Sequence, residues 1–148
     1  MKVKRQGYPE SFRKTMREIE HRHVEVGFFP EATYPDGTPV AYIAAIHEFG
    51  YPQGNIPARS YFRPTVDKES DNWGRQFAGA MAGAIKGEVE FTGALEMIGG
   101  MAAGDVAKTM KQLTRPPLSE ETIRRKGHSK LLVDSGTLFQ SITHKVSK

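Results

Sequence analysis

The run Thr38–Pro64, TPVAYIAAIHEFGYPQGNIPARSYFRP, decides the fold. Thr38 is a good N-cap and Pro39 is pre-set for the first helical position. Val40, Ile43, Ala44 and His47 recur at i, i+3, i+4 and i+7, and Ile46 and Phe49 widen that apolar face. Gly50 stands where a left-handed C-terminal cap falls, so the spacing predicts a short buried helix that stops there. Beyond it, Pro52, Gly54, Pro57 and Pro64 leave no room for long regular structure. Yet this second half carries Tyr51, Ile56, Tyr61 and Phe62, and Arg59 and Arg63 bracket the aromatic pair. A proline-rich apolar loop over residues 50–64 is expected to dock, either on its own domain or on a neighbouring subunit. Ile56, Arg59, Tyr61, Phe62 and Arg63 are its candidate contact residues for a subunit or partner interface.

Upstream, residues 9–22 read as an amphipathic helix opened by Pro9, with Phe12, Met16, Ile19 and His23 on one face. His23 to Phe29 then alternates, placing Val24, Val26 and Phe28 on one side of a half-buried strand that Pro30 ends. Pro35-Asp36-Gly37 is a turn. Downstream, Thr65–Lys86 predicts a helix with Trp73, Phe77, Met81 and Ile85 at four-residue spacing. Gly93–Leu113 predicts another, striped by Leu95, Ile98, Ala102, Val106, Met110 and Leu113. Both are rich in glycine, which costs about 1 kcal/mol per interior helical site relative to alanine. Close approach of the two helices in a hairpin would explain it, with Gly79 and Gly83 at the contact.

Pro116-Pro117 breaks the second of these helices. Ser119 then caps a short one, with Glu120 and Glu121 in its first turn, Arg124, Arg125 and Lys126 in its last, and Gly127 after it. Asp134 or Ser135 is expected to cap a further short helix through Gln140. Ser141–Val146 alternates as a terminal strand that can pair with His23–Phe29. The pattern predicts a single α+β domain over residues 1–148: a small antiparallel β-sheet packed against three longer helices and two or three short ones.

No apolar run reaches the length of a membrane span, and no signal-peptide pattern is expected from the basic but apolar-poor opening residues. There is no cysteine, hence no disulfide or thiolate chemistry. The net charge of +4 is unevenly spread. Residues 1–23 hold seven Lys/Arg against three acids, residues 108–130 seven against two, and residues 24–107 five against eleven. Such polarity suits head-to-tail contact between identical subunits, and equally an ordinary solvated surface.

Reactive constellations are thin. His47-Glu48 opens a zinc-protease motif, but the second histidine would stand at position 51, which is Tyr51. His21 and His23 diverge on a helix. Asp134-Ser135-Gly136 resembles an aspartic-protease fragment, yet Leu138, Phe139 and Ile142 continue at helical spacing, so Asp134 reads as a cap. No phosphate loop and no Ser-His-Asp grouping can be assembled. No catalytic residue, metal ligand or cofactor site is expected.

VAYIAAIHEFG followed by IPARSYFRP resembles the signature of small tailed-bacteriophage head–tail joining proteins, the virion morphogenesis and tail-completion group. Ser60 stands where that group usually has proline, and Tyr61 where it has phenylalanine. PPLSEETIRRKG and LLVDSGTLFQSITHKV resemble two further blocks of the group, with Asp134, Ser135, Gly136, Leu138, Ser141 and Ile142 matching position for position. Here the second of these blocks follows the Glu-Phe-Gly block rather than preceding it. The resemblance implies a non-enzymatic structural virion protein of a tailed phage or prophage, at the neck or upper tail, assembled in the host cytoplasm. It further implies a homo-oligomeric ring, hexameric or dodecameric, that meets other neck and tail proteins, touches no membrane, and lets DNA pass without reading its sequence. The alternative is a phage morphogenesis or nucleic-acid-binding factor absent from the mature virion, using the basic segments 1–23 and 108–130.

Overall fold

The computed structural model describes residues 7–127 and 136–148. In chain order they form α1 (Glu10–Ile19), β1 (His23–Gly27), α2 (Val40–Phe49), α3 (Phe62–Lys86), α4 (Phe91–Gln112), α5 (Glu120–Lys126), α6 (Thr137–Gln140) and β2 (Thr143–Ser147). The proposed caps at Asp134 and Ser135 lie outside the described residues.

The alternating segments pair as expected. β1 and β2 form a two-stranded antiparallel sheet, with Val24 opposite Val146 and Val26 opposite His144. That register puts Val24, Val26 and Val146 on the face that packs on α4. α4 is the spine of the molecule. Its stripe of Leu95, Ile98, Ala102, Val106 and Met110 is buried, and Glu90 caps its first turn by accepting from the Gly93 amide at 2.8 Å. One core cluster joins Val40 and Ala44 of α2, Val106 and Met110 of α4, and Leu138 and Ile142 near the C-terminus, with Tyr61 among them. A smaller one, Ala84, Phe91 and Leu95, fills the far end under Ile19, Val24 and Val146.

α3 and α4 form the expected antiparallel hairpin, turning at Gly87, which is in the left-handed conformation. Polar contacts link them: Trp73 Nε1 donates to Asp105 Oδ2 at 2.8 Å, and Thr65 Oγ1 to Thr109 Oγ1 at 2.7 Å. The glycines, however, do not sit in the helix–helix contact. A Cβ on Gly74, Gly79 or Gly104 would meet nothing within 4 Å, and one on Gly83 would meet the Val89 and Glu88 side chains of the connecting turn. The glycine that close packing requires is Gly99, where a Cβ would fall 2.6 Å from the His144 ring and 2.7 Å from Val24 Cγ2. It lets α4 lie against the sheet, not against α3.

α1 also turns differently from its apolar periodicity. Thr15 is its buried residue and Met16 is exposed. The reason is polar: Thr15 Oγ1 and Ser11 Oγ donate to the Ala84 and Ile85 carbonyls at 3.1 and 2.9 Å. These lie in the last turn of α3, where carbonyls lack the usual helical amide four residues on; Ala84 besides accepts the Gly87 cap amide, at 3.0 Å. His23 leaves that face altogether and begins β1.

Candidate functional site

α2 begins one residue later than the cap chemistry predicts. Pro39 is the N-cap, while the Thr38 amide donates to Asp36 Oδ1 at 2.9 Å to close the preceding turn. The helix buries Val40, Ala44 and, unexpectedly, Glu48, whereas Phe49 turns to solvent. At Gly50 the backbone takes φ +80°, and a Cβ would fall 2.9 Å from the Ala58 amide. Only glycine meets both demands. The chain then folds back through the bridge Tyr51–Ile56, with Asn55 left-handed between them, and runs without regular structure to Tyr61. The Arg59 amide donates to the His47 carbonyl at 2.7 Å and seals the loop onto the end of α2.

Glu48 is the centre of this arrangement. It is 5% exposed. Its Oε2 accepts from the Tyr61 and Phe62 amides at 2.8 and 2.9 Å. Its Oε1 accepts from Ser60 Oγ at 2.6 Å, the Arg63 amide at 3.2 Å and Arg63 Nε at 2.9 Å. A carboxylate on one helix thus caps the next, where unpaired amides and the helix dipole both favour negative charge. Burial alone would push this carboxyl up, but the hydrogen bonds from Ser60, Phe62, Tyr61 and Arg63 outweigh it and hold the group at about 2. The cap also explains why α3 starts at Phe62, three residues before the predicted Thr65, and runs through Pro64. A proline in the first turn lacks only an amide that has no helical partner anyway.

The five predicted contact residues are brought together, but they mostly face inward. Tyr61, 1% exposed, is among the largest fully buried side chains, donating its hydroxyl to the Ala44 carbonyl at 3.0 Å and meeting Phe28 edge-on at 6.3 Å. Its phenol is pushed up, by burial first and then by the Glu48 charge. Phe62 is half-buried against the same core. Arg59, 7% exposed, spans to the other end of the chain, donating Nε to the Pro116 carbonyl at 3.1 Å and a terminal nitrogen to that of Pro117 at 3.3 Å. Burial pushes its pKa down. Ile56 is half-buried, and Arg63 alone keeps its side chain largely in water, stacked over the Phe49 ring at 4.9 Å. The proline-rich loop therefore docks on its own domain. Its aromatic pair was expected to anchor a neighbour because free loops seldom carry such residues, and the subunit core already meets that need.

His47 Nδ1 is buried and has no hydrogen-bond partner among the described residues, and the imidazole is held down at about 4 by burial, then by the nearby charges of Arg59 and Lys126. It is a neutral packing residue. Among the described residues, no group of three or more His, Cys, Asp or Glu side chains is placed to hold a metal ion. The cavity of about 260 Å³ between β1, α3 and α4 has an apolar lining that includes Val26, Phe62, Trp73 and Val106. No described helix is long and apolar enough to cross a membrane. Apolar periodicity does not mark Glu48, the residue around which this arrangement is built. The signal was present in the donor-rich Arg59–Arg63 run after an acidic helix end.

No family model, curated protein or solved structure matches the chain.

Proposed function

We propose that this chain is a structural virion protein of a tailed phage or prophage, completing the tail or joining it to the head at the neck or upper tail as one subunit of a ring. The observation that carries the reading is where its motif residues sit. The Glu-Phe-Gly block supplies Glu48, which holds Ser60–Arg63 of the Ile-Pro-Ala-Arg block. From there Arg59 grips Pro116 and Pro117, the first residues of the next block, and Leu138 of the last one packs in the core with Tyr61. Four separated stretches converge on one structural lock. That is the pattern expected when related proteins share the shape of a subunit rather than a reaction centre.

Mass spectrometry of purified particles from a phage encoding this chain tests the proposal. The chain should be present in fixed stoichiometry, and its deletion should leave separate heads and tails. Particles that lack it overturn the virion reading and leave the morphogenesis or nucleic-acid-binding factor.

A further inference from the structure

α2 is apolar on both sides. Its inner face fills the core, while Tyr42 and Phe49, seven residues apart and so on one outer face, are 58% and 65% exposed. Tyr51, just past the cap, is 42% exposed. In residues 39–64 the charged side chains are Glu48, Arg59 and Arg63, and of these only Arg63 reaches solvent. An exposed aromatic surface that carries arginine and is otherwise bare of charge has the composition of an interface centre. α5 lies near the end of α2: the Arg59 grip holds the segment leading into it through Pro116 and Pro117, and the Lys126 charge in its last turn acts on His47. Arg124 and Arg125 are exposed there and make no ion pair among the described residues.

A complementary surface lies on α3. Asp67, Asp71, Gly74 and Ala78 stand at i, i+4, i+7 and i+11, all exposed. The two aspartates make no ion pair among the described residues, and the space in front of Gly74 is open. Small residues let flat rings lie against a helix, and acids beside them attract arginine. We propose that the Tyr42–Phe49–Tyr51 face docks on the α3 stripe of a second copy of this chain, with Arg124 and Arg125 set against Asp67 and Asp71 of that copy. Each copy uses its two surfaces on two different neighbours, so the contact is head-to-tail and closes into a ring when its rotation permits. The inference deepens the ring reading and names its contact.

Sedimentation velocity and native mass spectrometry of the full chain test it. The double variant Tyr42→Ser with Phe49→Ser should weaken self-association at least a hundredfold without lowering the melting temperature, since both rings are outside the core. Asp67→Arg with Asp71→Arg should weaken it at least tenfold, and adding Arg124→Asp with Arg125→Asp should restore it. That charge exchange decides the matter even if the aromatic variant folds poorly. Assembly unchanged by both sets overturns this contact and leaves a ring built on other surfaces. A wild-type chain monomeric at every concentration also overturns it, while detection in particles judges the virion reading separately.

Discussion

Removing the Glu48 carboxylate should cost more than any exposed substitution, and its size can be worked from two directions. In Glu48→Ala the Tyr61 amide, which is buried, loses its acceptor outright, while the Phe62 and Arg63 amides and Ser60 Oγ are part-buried and can recruit water. A buried donor left unsatisfied costs about 1–3 kcal/mol, and a wetted one about half a kcal/mol. The sum is about 2.5–4.5 kcal/mol, or roughly 10 °C in melting temperature for a chain of this size. The acid linkage gives the second figure. A carboxyl held at about 2 against an ordinary 4.5 contributes about 3 kcal/mol, reduced to about 2 once solvent screening is allowed for. Because the folded value is depressed, this stability is fully present above pH 4.5 and is lost as pH falls towards 2. Urea unfolding of the wild type, Glu48→Ala and Glu48→Gln at pH 7 and pH 3 checks both. Glu48→Gln should lose about 2 kcal/mol at pH 7 and should lack the wild-type decline between pH 4.5 and 2. A Glu48→Ala protein within about half a kcal/mol of wild type at pH 7 would refute the lock.

Tyr61→Ala should cost about 3–5 kcal/mol by leaving a core cavity, whereas Tyr61→Phe should cost only about 1 kcal/mol for the lost bond to Ala44; thermal melts separate the two. Gly99→Ala should destabilise by about 1–3 kcal/mol through the His144 and Val24 overlap. Gly79→Ala, facing open space, should stabilise by up to about 1 kcal/mol, and equal melting temperatures for the pair would contradict both. His47 binds its proton at about 4 when folded against an ordinary 6.5. The unfolded chain therefore takes up a proton first, and stability should fall by at most about 3 kcal/mol from pH 6.5 to 4, a decline that His47→Gln should remove in urea titrations.

The elements that read correctly from sequence are those whose partners are near in the chain or whose period is clean. Alternation at Val24–Val26 and Ile142–Val146 gave both strands, and the Leu95–Met110 stripe gave the face of α4. Ser119 and Gly127 mark the ends of α5 because capping is local chemistry. Failures share another cause. Apolar counting put Phe49 inside α2 and left Glu48 out, since it scores a carboxylate as a surface residue. Burial of Glu48 depends on donors that arrive from Ser60–Arg63, twelve to fifteen residues on. Gly99 is equally silent in sequence. It is one of several glycines in α4, and only the register of β2, far along the chain, selects it.

The same lock bears on what the outer surface can do. α2 is held on its inner side by Val40 and Ala44 in the core, and its end is tied by Glu48 and by the Arg59 amide on the His47 carbonyl. Gly50, with its required backbone, fixes the direction in which Tyr51 leaves. A helix so constrained presents Tyr42 and Phe49 in one orientation, with Arg63, itself bound to Glu48, stacked on Phe49. Docking such a surface loses little side-chain or backbone freedom, which is the term that most often erodes affinity at an interface. Inner and outer faces of α2 are therefore coupled through Glu48. Loss of that carboxylate should loosen Arg63 and the loop, and with them the aromatic surface. Glu48→Gln at pH 7 and a temperature where it remains folded should then weaken the proposed self-association about tenfold, although no residue of the outer face has changed. Association equal to wild type under those conditions would separate the two faces and confine Glu48 to stability.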